Sequence, residues 1–148
     1  MKERYPLPCN IAQTLNIVGD RWTLLIIHEI LIGNKTFNDI KHNLETVSAN
    51  LLSTRLKTLE AEGMVTSELY SKHPPRYQYA LTEKGRALEP VFHAFLLWGR
   101  DHLDKCYKKL VDEQTGQEVS IGFFDRESGE RIPSDQLQVL PYERQTSG

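Results

Sequence analysis

Apolar residues along this chain recur first with a helical period and later with a period of two. Ile11, Leu15 and Val18 form a stripe ahead of Gly19, which predicts a short helix from Cys9 to Val18 after Pro6 and Pro8. Asp20 can cap the next helix, Arg21 to Leu31. Its W-T-L-L-I-I-H-E-I-L is apolar on most sides, the pattern of a central core helix. Gly33-Asn34 ends it. Thr36-x-x-Asp39 resembles a capping box and opens a helix from Phe37 to about Asn43, with Phe37, Ile40 and Leu44 inward. After the turn Glu45-Thr46-Val47, the stretch Ser48 to Gly63 predicts a further helix. Leu52, Leu56 and Leu59 give it one apolar stripe, Ser48 is a good N-cap, and Gly63 fits the position after the C-cap. Two short helices joined by a turn of about three or four residues make a helix-turn-helix.

Beyond Gly63 the period falls to two. Val65, Ser67 and Leu69 alternate with Thr66, Glu68 and Tyr70, and Tyr77, Tyr79 and Leu81 alternate with Gln78 and Ala80, which predicts a β-hairpin. Its loop, Ser71 to Arg76, reads as too long for a two-residue turn. A hairpin directly after a helix-turn-helix is a wing. Thr82 to about Lys105 then reads as the longest helix, roughly 36 Å at ~1.5 Å per residue, which Pro90 should kink or divide. Leu88, Phe92, Phe95, Gly99 and Leu103 form one stripe on it, and Val91, Ala94 and Trp98 a second. Two apolar stripes on a late helix point to a partner subunit; full burial within one subunit is the alternative. The fold class expected is α+β and mostly helical: a winged helix-turn-helix with a long C-terminal dimerisation helix and a short β-hairpin tail.

The tail repeats itself. Asp112 to Val119 and Asp125 to Ile132 share D-x-x-[ST]-G-x-x-[VI], offset by 13 positions. Each reads as strand, tight turn with a left-handed glycine, and strand, so residues 107–148 are expected to hold two short hairpins after a winged-helix and dimerisation domain at 1–106. Pro141 to Gly148 is expected to fray.

Composition narrows the function. The 148 residues are 39% hydrophobic and 26% charged, ordinary for a globular protein. No apolar run approaches the length of a membrane span, and the N-terminus lacks an apolar signal core. The two cysteines are neither a disulfide framework nor a zinc set, and a reducing cytoplasm is the default. The net charge of −2 is uneven: residues 1–106 hold 13 basic and 12 acidic side chains, residues 107–148 hold 5 and 8, and residues 48–86 hold 6 and 4. Local placement matters more than the sum for phosphate contact.

The chemistry sits opposite the leucine stripe. Asn50, Ser53, Thr54 and Lys57 fall there at helical spacing, with no carboxylate until Glu60. Short donors and acceptors in a row suit a helix laid in the major groove of DNA, although an ordinary amphipathic helix would show the same stripe. Lys72, His73 and Arg76 in the hairpin loop are placed for phosphates or a narrow minor groove. Lys35, Thr36 and Lys41 can hold the backbone from the preceding helix, and Ser48 lies at the helix start. Arg55, on the flank, is expected to be structural or a phosphate contact. An enzyme reading is weaker: the five histidines are scattered, His102 and Cys106 have no evident third metal ligand, and no phosphate-binding glycine loop or nucleophile elbow appears. His28 reads as a core residue. No cofactor or metal is expected.

These residues together resemble the HxlR-type transcriptional regulators, relatives of the MarR winged-helix proteins. The resemblance is carried by Cys9, G-D-R-W-T-L-L-I-I at 19–27, F-N-D-I at 37–40, L-L-S-T-R-L-K-T-L-E-A-E-G-M-V at 51–65, P-P-R-Y-Q-Y-A-L-T-E-K-G at 74–85 and L-E-P-V-F-H-A-F-L-L-W-G at 88–99. It covers about residues 9–105 and implies a homodimer that binds a pseudo-palindromic, double-stranded operator as repressor or activator. Leu88, Val91, Phe92, Phe95, Trp98 and Leu103 are the expected dimer interface. Where the family usually has Cys-Pro, this chain has Cys9-Asn10.

The resemblance also implies a switch. Some family members use the first cysteine as a sensor of electrophiles or oxidants, and in some it pairs with a C-terminal cysteine of the partner chain, for which Cys106 is the candidate. A thiol at a predicted helix N-terminus fits that role; a packed, inert Cys9 is the plain alternative. A small-molecule effector lodged among Trp22, Phe92, Phe95 and Trp98 is conceivable, though plain core is the favoured reading of those rings. From a different class, a winged helix can be a protein-interaction module without sequence-specific DNA binding.

Overall fold

Capping residues set most of the helix starts in the computed structural model, which describes residues 4–142. The Asp20 carboxylate accepts from the backbone N–H of Trp22 and Thr23 at 3.1 and 3.2 Å, and from the Thr23 hydroxyl. Thr36 Oγ1 accepts from Asp39 N at 3.1 Å, and Ser48 Oγ from Leu51 N at 3.1 Å. Each such cap contributes about 1 kcal/mol. The helices are α1 Asn10–Val18, α2 Thr23–Leu31, α3 Phe37–Leu44 and α4 Ala49–Ala61. Strands β1 Val65–Lys72 and β2 Pro75–Leu81 follow, then α5 Glu83–Arg86 and α6 Glu89–His102. Contacts group the chain up to Phe92 as one unit and from His93 as another. The division lies inside α6, whereas the boundary expected from sequence stood after residue 106.

In the first unit Ile26, Ile27, Ile40, Leu52, Leu56 and Leu59 are at most 1% exposed and form the core with Trp22, Val65, Leu81 and Phe92. The leucine stripe of α4 is therefore its inner face. Two apolar expectations fail. Ile11 and Leu15, read as the inward stripe of α1, are exposed; Ala12 and Val18 face inward instead. Leu25 leaves α2 open on one side.

The hairpin pairs Val65 with Leu81 through to Lys72 with Pro75, with an irregularity between Leu69 and Ser71 at Tyr70. The strands run further than expected, so the predicted six-residue loop shrinks to a tip at His73 and Pro74. Pairing reaches the tip because Lys72 and Pro75 still oppose each other beyond the irregularity. On the far side of β2, Thr36 bridges Gln78, and Tyr79 N donates to Lys35 O at 2.8 Å. Residues just before α3 thus act as a third strand that ties the wing to the helix-turn-helix.

The single helix expected over 82–105 is two. An uninterrupted helix would need residue 90 to donate to the Arg86 carbonyl, and Pro90 has no N–H to give. The chain breaks after Arg86, and Pro90 sits in the first turn of α6, where the donor is not missed. At 14 residues α6 spans about 21 Å.

The second unit holds the repeated turns. In the first, Asp112 Oδ1 accepts from Gln114 N and Thr115 N, Gly116 N donates to Asp112 O, and Gly116 takes φ +72°. In the second, Asp125, Glu127, Ser128 and Gly129 repeat every one of these bonds, with φ +73° at Gly129. Phe123–Phe124 (β3) pairs with Arg131–Ile132 (β4), and Val111 bridges Glu118. Both tail hairpins form where the sequence places them. The fraying expected of the last residues concerns 143–148, which lie outside the described residues.

Candidate nucleic-acid interface

The face of α4 opposite its leucines is open. Asn50, Thr54 and Lys57 are exposed and Ser53 half-buried. The side chains of Asn50 and Lys57 make no hydrogen bond or ion pair among the described residues, so an adenine edge or a phosphate can take them. Thr54 Oγ1 donates to Asn50 O at 2.9 Å; its lone pairs remain to accept from a base amino group. Ser48 Oγ is committed to the cap, so Ser48 belongs with the scaffold more than with base reading.

Both ends of α4 are held. At its C-terminus Gly63 takes φ +72°, Gly63 N donates to Glu60 O at 3.1 Å and Met64 N to Leu59 O at 2.9 Å, the paired bonds of a Schellman motif. Thr82 Oγ1 donates to Gly63 O at 2.5 Å, and Lys84 Nζ donates to Glu62 O at 2.7 Å. Gly85 completes this clamp: a Cβ there would lie 2.3 Å from Met64 O. The T-E-K-G stretch is thus what fixes the end of the reading helix, a role sequence reasoning did not assign to it.

Arg55 proves structural. Its Nε lies 3.1 Å from Asp20 Oδ2, an ion pair without hydrogen-bond alignment, with side chains 21% and 9% exposed. Burial alone raises the Asp20 pKa, but hydrogen bonds from Thr23 and Trp22 and the Arg55 charge outweigh it and hold the carboxyl below 3.8. One carboxylate therefore caps α2 and pins α4. Glu29 plays a similar part at the next turn, accepting from Asn34 Nδ2 at 2.8 Å and Asn43 Nδ2 at 2.9 Å.

The flanking contacts expected from sequence are available. Lys35, Lys72, His73 and Arg76 are exposed, and Lys41 is half-buried. Thr36 uses its hydroxyl to cap α3, leaving its proton for a phosphate. Between α4 and the wing lies an open cleft of about 260 Å³, lined by Asn38, Ser53, Tyr70, Arg76, Tyr77 and Tyr79, with Phe37 and Pro75. The three tyrosines and Asn38 escaped the sequence reading because strand tyrosines at alternating positions look like ordinary sheet formers.

Cys9 is the N-cap residue of α1, exposed, with no side-chain cap bond. The strand before it is tied down by Gln13 Nε2, which donates to Tyr5 O and Leu7 O, and by Asn16, which bonds Tyr5 N and O. Cys106 is exposed and its Sγ lies 3.3 Å from Lys108 O.

Of the expected dimer residues, Val91, Phe95, Trp98 and Leu103 are exposed, the last three by 55–60%. Phe92 is a correction: it is 8% exposed, lies in the core of its own subunit and packs its ring 5.3 Å from that of His28. Leu88 likewise packs against that core. Trp22 and Phe92 are core while Phe95 and Trp98 face outward, so the four do not share one buried environment. Among the described residues, no three His, Cys, Asp or Glu side chains come together as a metal site, and no helix is long and apolar enough to cross a membrane.

Comparison with known proteins agrees with this geometry. The family model for the HxlR-like helix-turn-helix matches residues 17–107. The uncharacterised HTH-type transcriptional regulator YdeP of Bacillus subtilis (strain 168) is 33% identical over 100 residues, covering 68% of this chain and 78% of that protein. Among solved structures, PA1607, a candidate transcription factor, superposes with a TM-score of 0.74 at 27% identity, over 91% of this chain and 96% of that one. The redox regulator HypR in its oxidised form gives a TM-score of 0.56 at 34% identity, over 66% of this chain and all of that one.

Proposed function

The chain belongs to the HxlR-like helix-turn-helix family, and on that premise we propose that it works as a homodimeric, cytoplasmic transcriptional regulator. In this reading α4 enters the major groove of an operator half-site and the wing tip meets the adjacent backbone or minor groove. The observation that carries it is the open face of α4: Asn50, Ser53, Thr54 and Lys57 stand clear of the subunit's own packing while both ends of the helix are clamped. Asn50 is the residue best suited to base discrimination, since an amide can pair with both edge groups of adenine at about 1–3 kcal/mol. Lys57, Arg76 and the lysines around α3 supply phosphate contacts. With about three or four such contacts per subunit, log K against log salt falls with a slope near −5 to −7.

Dimerisation is supported by Phe95, Trp98 and Leu103, large apolar side chains that one subunit leaves in solvent. The operator is then expected to be pseudo-palindromic.

The test is the double variant Lys57→Ala with Arg76→Ala, assayed by fluorescence anisotropy on operator DNA selected from a random duplex pool. Loss of binding with an unchanged melting temperature supports the reading. Undiminished, salt-independent binding overturns it. Retention of a protein complex after loss of DNA binding would favour the interaction-module alternative.

For the switch, the exposed Cys9 at the start of α1 supports thiol sensing, as does similarity to a protein named as a redox regulator. In the disulfide version the thiols of Cys9 and Cys106 of the partner subunit form one S–S bond, and the oxidant diamide takes up the two hydrogens. A covalent dimer on a non-reducing gel, absent in Cys9→Ser, is the expected result. A monomer-sized band with both thiols free ends that version.

A further inference from the structure

The two grooves of a duplex are separated by a single sugar–phosphate strand. A protein that lays a helix in one groove and a hairpin tip in the next must straddle that strand, and the space between helix and hairpin is where the strand passes. In this subunit that space is the cleft lined by Asn38, Ser53, Tyr70, Arg76, Tyr77 and Tyr79. Its polar groups are phenol and serine hydroxyls, one amide and one guanidinium, all able to donate to phosphate oxygens. No carboxylate lines it. By contrast, the cleft at the end of α3 includes Glu45, and the one beside Tyr5 includes Asp20. The ring faces offer an apolar wall for deoxyribose, and burial near Glu60 keeps the Tyr79 phenol protonated, hence a donor.

We propose that this cleft seats one phosphodiester of the strand between the grooves, with Tyr70, Tyr77 and Asn38 as neutral donors beside the Arg76 charge. The assignment rests on the DNA-binding reading above and adds residues to it. Tyr70 and Tyr77 are held for the task by the wing itself: Tyr77 opposes Leu69, and Tyr70 is the residue of the irregularity, outside the regular pairing. Neutral donors displace no counterion. They therefore add affinity without steepening the salt dependence, whereas Arg76 does both.

The experiment measures operator affinity by anisotropy across a salt series for wild type, Tyr70→Phe, Tyr77→Phe and Arg76→Ala. Each is also measured on duplexes carrying a single methylphosphonate, moved one position at a time. Each Tyr→Phe change is expected to weaken binding about three- to tenfold with an unchanged slope; Arg76→Ala weakens it and flattens the slope by about 0.9. One methylphosphonate per half-site should weaken wild type but cost the tyrosine variants little more. Tyrosine variants that bind as wild type does, or methylphosphonate effects that simply add to theirs, overturn the assignment while leaving DNA binding intact. A wild-type protein that enriches no sequence overturns both. Thermal melts confirm that the Tyr→Phe variants keep the fold.

Discussion

Asp20 serves two elements with one carboxylate, capping α2 and holding Arg55 of α4 at 3.1 Å. Its pKa in the folded protein lies below its ordinary value. The ionised form therefore stabilises the fold in full above the unfolded value, and that contribution fades as pH falls through the folded one. Asp20→Asn keeps a competent cap but removes the charge. It is expected to cost on the order of 1 kcal/mol near neutrality, the gap to wild type closing in thermal melts taken below pH 3.8. A gap that stays constant with pH would mean the charge is not what matters. Gly85→Ala tests the clamp. Its Cβ would strike the Met64 carbonyl, and overpacking against backbone costs about 1–3 kcal/mol, read as a lower urea midpoint. Arg55 illustrates what a sequence can say at this scale. Its flank position marked it as structural or a phosphate ligand, but Asp20, its partner, is distant in sequence, and nothing local names it.

At the scale of elements, the parts set by neighbouring residues were legible and those set by distant ones were not. Ser48, Thr36 and Gly63 announced their caps because a cap bonds to residues three or four positions away. The twin tail turns were legible for the same reason. The hairpin's true length was not, since pairing up to Lys72 and Pro75 depends on the strand opposite and on the bridge from Thr36. Nor was the clamp on α4, which reaches across from Thr82 and Lys84. Of the candidate site, the α4 face and wing cations were readable; the tyrosine-lined cleft exists only once three elements meet. Since Gly116 stands at φ +72°, Gly116→Ala should loosen its hairpin by about 1 kcal/mol. Faster amide exchange at Asp112, Gly116 and Val119, with Gly129 unaffected, would register it; equal loosening of both turns would show that they are not independent.

For the whole molecule, the question is what covers the apolar residues that one subunit leaves outside. Phe95 and Trp98 are 58% and 60% exposed, and burying two such rings against a second copy would supply several kcal/mol, at roughly 25 cal/mol per Å². Phe95→Glu with Trp98→Glu is expected to give a monomer in sedimentation that still melts cooperatively and binds a single half-site only weakly. A dimer surviving both changes would place the interface elsewhere. The sequence showed that α6 had apolar area to spare but misassigned Phe92, because periodicity cannot say which stripe a subunit keeps for itself. The clamped α4 carries a last implication for how this molecule discriminates among operators. A probe anchored at both tips cannot tilt or unwind to accommodate a wrong base pair. The entropic toll of ordering is met during folding rather than on the duplex. Mismatched sites should therefore be rejected through rapid dissociation, with arrival rates almost independent of sequence.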